Sequence, residues 1–364
     1  MLECATRADV AVRRGNRDAW TYGFSFWDSV RIGATAQAER EAAARVVDQN
    51  GPDEMFAARG HLPIAERVRP QTDRIAGYDV RFNTLGLRGD EVSADMPRDG
   101  KRIVVLGGSF VFGWGLPDDD IWTKRLERLL RTRVGPTEIV NAGRNGGTIN
   151  WALMTLLRLS RRLPFDEVLL LSTYNNRTLV AIDGRPTWAA IAEYYLYNSS
   201  LLYVVLEEKI SQLRHQALDY QHLRSAVRVS PDALDAWLSL YRRRLAQIAV
   251  VCREHGSALL VGGEPQRFYD VALDRLPPGH VDETRRLMNR VTGGQTLARS
   301  ELDWLLQSLQ IQELRAVASR GEAIFIDTAS AFMPDKAPWM MDEIHSNRSG
   351  SEKFAVLVAN AIAR

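Results

Sequence analysis

Lys101-Arg-Ile-Val-Val-Leu-Gly-Gly-Ser109 decides the fold. Arg102 to Leu106 carries the continuous apolar run of a strand buried on both faces, and Gly107 and Gly108 let the chain turn sharply. Ile121 to Arg133 then places its apolar residues at helical spacing. Strand, glycine turn and helix in that order open an α/β domain. Working outward, short apolar runs recur at Glu138–Asn141, Glu167–Leu171, Ser257–Val261 and Ala323–Ile326. Helical stretches alternate with them, at about 148–162, from Pro231 onward, at about 282–319 and at about 349–363. The Pro231 helix carries Leu234, Trp237, Leu238, Tyr241, Leu245 and Ile248 on one stripe. The pattern predicts a three-layer α/β/α domain around a mostly parallel five-stranded sheet.

That domain spans 99–364, with a helical insertion at about 178–256 expected to wall or cover a site. Residues 1–98 read as an N-terminal extension packed on it. Within the extension, 35–49 is dense in helix formers, Pro63 and Pro70 break any helix, and Tyr78-Asp-Val-Arg-Phe82 alternates as an edge strand does.

The 364 residues hold 47 basic and 45 acidic side chains, a net charge of +2 with no block of one sign. This balance points to neither nucleic acid nor a membrane surface as partner. No apolar stretch reaches the roughly 20 residues that span a bilayer. Arg7, Asp9, Arg13, Arg14, Arg17 and Asp18 interrupt every candidate signal run, so a cytoplasmic location is expected. Cys4 and Cys252 make neither a metal spacing nor a disulfide framework and are predicted to be free thiols. No cofactor or metal is implied.

Ser109 falls at the carboxyl end of the first core strand, where open parallel sheets bind their ligands. A dinucleotide reading of the turn fails. Gly107-Gly108-Ser-Phe-Val-Phe-Gly113 is not G-x-G-x-x-G, and the second strand runs into Asn141-Ala-Gly143 without an acidic end. A serine becomes a nucleophile when a base takes its proton and a carboxylate fixes the tautomer of that base. Asp342 and His345, at Asp-x-x-His spacing before the last helix, supply that pair. An oxyanion needs N–H donors. The loops after the second and third strands offer Gly146 and the Asn175 side chain, beside the N–H of Ser109 itself.

Gly-Gly-Ser109, then Asn141-Ala-Gly-x-x-Gly146, then Asn175, then Asp342-x-x-His345 near the C-terminus resembles the four blocks of the SGNH (GDSL-like) hydrolase superfamily. Asn83-Thr-Leu-Gly-Leu-Arg-Gly89 is similar to the lead-in of its larger bacterial members. The resemblance implies Ser109 as nucleophile, Asp342 and His345 as its acid and base, and Ser109, Gly146 and Asn175 as the oxyanion hole. Three positions depart from the commonest pattern: Gly108 replaces an aspartate, Thr173 a glycine and Asn176 an aspartate.

Trp114, Tyr174, Arg177, Arg267 and Trp339 are candidate substrate contacts, with Tyr269 beside Arg267. Phe110 or Phe112 reads as a packing residue, since a strand-to-helix turn buries one or two aromatics against the sheet. The expected activity is hydrolysis of a small acyl ester, such as acetyl, of a polar or carbohydrate-like alcohol. An O-acyltransferase using the same three residues and a member that only binds its ligand are the alternatives.

Overall fold

A computed structural model of the chain describes residues 71–75, 78–179, 226–268 and 270–363. All of them fall within one compact unit. The predicted helix at 35–49, Cys4, most of the insertion and Tyr269 lie outside the described residues.

The chain runs β1 (Gln71–Ile75), β2 (Tyr78–Phe82), β3 (Lys101–Gly107), α1 (Ser109–Phe112), α2 (Trp122–Val134), β4 (Thr137–Gly143), α3 (Ile149–Ser160) and β5 (Glu167–Leu171). It continues with β6 (Ala226–Val227), α4 (Pro231–His255), β7 (Ala258–Gly262), α5 (Val271–Asp274), α6 (Val281–Thr292), β8 (Leu297–Ala298), α7 (Arg299–Ser319), β9 (Ile324–Phe325) and α8 (Arg348–Ile362). The central sheet has the order β4-β3-β5-β7-β9, every neighbouring pair parallel. β3 therefore sends its successors to opposite sides. The crevice at such a reversal opens past the carboxyl ends of the strands, and Ser109 begins α1 there.

Alternation along β3 separates the two layers. Val104 and Leu106 pack with α3, α4 and α7 through Leu156, Leu245, Ile248 and Leu314. Ile103 and Val105 pack on the other face with α2 and α8 through Leu126, Leu130, Phe354 and Val358. All six stripe residues of α4 are buried. Burying such a side chain contributes about 1.5–3 kcal/mol, so both helical layers are held by the sheet faces more than by helix propensity.

Two elements differ from expectation. The helix predicted over 282–319 is two helices, α6 and α7, because Gly293 caps α6 and Gly294 takes a left-handed φ of 70° before the short strand β8. Tyr78–Phe82 is a strand, but it pairs antiparallel with β1 in a separate two-stranded sheet.

The segment before β3 is tied to the domain by two buried arginines. Arg88 donates from Nη1 to the carbonyls of Phe112 at 3.0 Å and Gly113 at 2.8 Å, from Nη2 to Leu116 at 2.7 Å, and from Nε to Asp118 at 2.9 Å. It thus closes the carboxyl end of α1, where Gly113 supplies the left-handed cap at φ 84°. Arg102, at the start of β3, donates to Glu138 and to the carbonyls of Ser93, Asp95 and Pro164. Among the described residues no helix is long and apolar enough to cross a membrane.

Candidate active site

Ser109 is the first residue of α1, 9% exposed at the end of β3. The short helix is fixed from both sides. Phe110 packs edge-on against Phe354 with its carbonyl accepting from Trp122 Nε1 at 3.0 Å, and Phe112 lies under the Arg88 guanidinium. Both aromatics are packing residues. Asn141 on β4 adds an anchor, donating to the Val111 carbonyl at 2.9 Å.

His345 and Asp342 arrive on a tight loop between Met340 and Ser346, whose backbones bridge antiparallel. Met341 N donates to His345 O at 2.7 Å, and Asn347 then caps α8 by accepting from Gly350 N at 2.9 Å. The loop is therefore held at its base by the helix it starts. His345 Nε2 lies 2.8 Å from Ser109 Oγ, and His345 Nδ1 lies 2.7 Å from Asp342 Oδ2. Asp342 Oδ1 accepts from the backbone N–H of Ile344 at 2.9 Å and of His345 at 2.8 Å. Burial alone would raise the Asp342 carboxyl. The side-chain and backbone hydrogen bonds from His345, with the Ile344 amide, outweigh it and hold the group below its usual range.

The amide of Asn175 lies against the Gly108-Ser109 turn. A Cβ built on Gly108 would stand 2.4 Å from Asn175 Nδ2, so residue 108 must lack a side chain for this loop to approach. Nδ2 donates to Gly147 O at 3.1 Å, which orients the amide from the loop after β4. Gly146, the preceding residue, is exposed with φ 70°. Asn176 faces inward: its Oδ1 accepts from Ile149 N at 2.8 Å at the start of α3, and its Nδ2 donates to Ser172 O at 2.8 Å. An aspartate could make only the first bond, which accounts for asparagine here. Thr173 pairs reciprocally with Glu264, accepting from Glu264 N at 3.0 Å and donating from its own N to Oε2 at 3.1 Å.

The candidate substrate residues divide. Trp114 borders the site, its ring 6.2 Å from that of His345. Tyr174 donates from its hydroxyl to Glu343 Oε2 at 2.9 Å, and burial pushes its phenol up. Arg177 stacks on the Tyr174 ring at 3.9 Å, donates to the Tyr174 hydroxyl, and pairs with Asp303 at 3.1 Å and Glu343 at 3.8 Å. Its charge is thus spent on the protein's own carboxylates. Arg267 is tied by its backbone N–H to Glu343 O at 2.8 Å, one residue from Asp342. Trp339 stacks on Phe332, lies under Lys353 and accepts from Asn347 N at 3.0 Å through its carbonyl, so it anchors the His345 loop. The groove lined by Met96, Pro97, Arg131 and Pro136 lies at the opposite end of the sheet and carries none of this chemistry.

No protein-family model matches the chain, and no curated protein does. Solved structures do resemble it in fold. A member of the lipolytic protein G-D-S-L family from Veillonella parvula is 12% identical, covering 72% of this chain and 98% of that one, with a TM-score of 0.42. A GDSL-like lipase from Bacteroides thetaiotaomicron is 12% identical over 74% of this chain and 91% of that one, with a TM-score of 0.40. LAE5, an alpha/beta hydrolase enzyme from the metagenome of Lake Arreo, Spain, is 15% identical over 72% and 96%, also with a TM-score of 0.40.

Proposed function

We propose that the chain is a serine hydrolase of the SGNH type that cleaves small acyl esters of polar or carbohydrate-like alcohols. The observation that carries this reading is the continuous relay from Ser109 Oγ to His345 Nε2 to Asp342 through contacts of 2.8 and 2.7 Å. With Nδ1 protonated toward Asp342, Nε2 accepts the Ser109 proton as Oγ attacks the ester carbonyl. The proton then passes from Nε2 to the departing alcohol oxygen, leaving the acyl group on Ser109. Water, deprotonated by the same Nε2, attacks the acyl carbon and releases the acid and free Ser109. Negative charge on the carbonyl oxygen is met by the N–H groups of Ser109 and Gly146 and by the Asn175 amide, which Gly147 orients.

The reading is tested by incubating the full chain with a panel of acetyl, butyryl and longer acyl esters, with and without sugar acceptors, and identifying products by mass. Release of free acid that is lost in Ser109→Ala is expected. Transfer to the sugar in preference to water would make the protein an acyltransferase. Absence of acyl release, or release that persists in Ser109→Ala, would overturn the assignment.

A further inference from the structure

One side chain joins the nucleophile turn to the loop carrying Asn175. Glu264 follows β7 by two residues and is 1% exposed. Its Oε1 accepts from Gly108 N at 3.3 Å, and its Oε2 accepts from Thr173 N at 3.1 Å and Tyr174 N at 2.8 Å. The rest of the residue is held as firmly: its N–H donates to Thr173 Oγ1 at 3.0 Å, and its carbonyl accepts from Gln307 Nε2 at 2.7 Å. Oε1 lies 3.0 Å from where a Cβ on residue 108 would stand. The space that a side chain at 108 would fill is therefore closed by the Asn175 amide, at 2.4 Å, together with a carboxylate brought from beyond a different strand.

We propose that Glu264 is a positioning residue of the active site, whose carboxylate sets the separation between the Ser109 turn and the 173–175 backbone and thereby aims Asn175 at the reacting carbonyl. This rests on the reading of Ser109 as nucleophile and Asn175 as oxyanion donor. The chemistry of the three partners favours a carboxylate: all are N–H donors, and hydrogen bonds to an ionised acceptor are roughly twice as strong as neutral ones. Burial pushes the Glu264 carboxyl up, while the three amides favour its charged form. A glutamine of the same shape has one acceptor and one NH2 group. Whichever way it turns, the NH2 meets an N–H, either that of Gly108 or those of Thr173 and Tyr174. One side of the clamp must open. An aspartate keeps the charge but is a methylene too short to reach both sides.

The test compares full-length wild type, Glu264→Gln and Glu264→Asp by p-nitrophenyl acetate kinetics and by amide hydrogen exchange of peptides covering 106–112 and 172–177. For Glu264→Gln the expected result is a loss in kcat on the order of 10²-fold with KM within about twofold, since a misplacement near 1 Å acts on the transition state. Exchange should rise in both peptides and stay unchanged in peptides from β4 and α8. Glu264→Asp should show the same split if the glutamine variant does not fold. Unchanged kcat with unchanged exchange in either folded variant would overturn the proposal. So would failure of both variants to fold, which would make Glu264 a plain core residue. If wild type itself hydrolyses no ester, the hydrolase reading falls, and the clamp stands or falls on the exchange result alone.

Discussion

The imidazole Nε2 of His345 lies 2.8 Å from the hydroxyl of Ser109, across 236 positions of sequence. The two residues come from opposite ends of the sheet domain, Ser109 from the first core strand and His345 from the loop before the last helix. They meet because α1 is locked on one side by Phe354 of α8, the helix that also anchors the His345 loop. Ser109 and His345 are thus aligned by shared packing on a single helix.

Replacing Asp342 by Asn should leave the fold intact and lower kcat by about 10⁴-fold, because the amide no longer secures the productive imidazole tautomer. The Asp342 carboxyl is held low, so the stability it contributes is present above the unfolded value, about 3.9, and is lost as pH falls through the folded value. Its side chain is 51% exposed, so the effect is small. Thermal midpoints of wild type and Asp342→Asn should therefore converge as pH is lowered below about 4. A midpoint difference that is constant from pH 7 to pH 3 would remove the charge from the account.

Arg88→Ala should destabilise the protein by about 3 kcal/mol, because three carbonyls and Asp118 lose a buried charged partner. Arg88→Lys should not restore it, since a single ammonium cannot reproduce the fork that reaches Phe112, Gly113 and Leu116. Urea unfolding measures both. Equal stability of Arg88→Lys and wild type would show that charge alone matters here.

How much of this was legible in the sequence differs by element. The core strands were readable because each is a short apolar run, and β3, β4, β5, β7 and β9 fall within about two residues of expectation, whereas the two-residue strands β6 and β8 interrupt stretches expected to be helical. Ser109, Asp342 and His345 were singled out by residue type and by the order of the four blocks they resemble, and the structure brings the three side chains within hydrogen-bond reach. Glu264 and Arg88 were not. A lone acidic residue after a strand and a lone arginine in a loop carry no periodic signal, and their partners are backbone N–H and carbonyl groups, which every residue has. The ion pairs of Arg177 were not readable for a related reason: Asp303 and Glu343, which pair with it, lie more than a hundred residues away.

Asn176→Asp should destabilise this chain by about 1–3 kcal/mol. The acceptor to Ile149 N survives, but the donor to Ser172 O is replaced by a second oxygen facing that carbonyl. Chemical denaturation checks this. A gain in stability would mean that the Ser172 contact is unimportant.

Asn175→Ala should reduce kcat by about 10²-fold or more with little change in KM, because the amide acts on charge that develops in the transition state. Steady-state kinetics on an acetyl ester separate the two constants. A rise in KM alone would make Asn175 a substrate-binding residue instead.

The most direct test of the central claim is covalent labelling of the folded protein with a fluorophosphonate, followed by peptide mass mapping. Phosphonylation should occur at Ser109 alone, be abolished in Ser109→Ala, and fall sharply in His345→Ala, because the attack needs both the hydroxyl and its base. Labelling at another serine, or no labelling of folded wild type, would contradict the assignment of Ser109 as nucleophile.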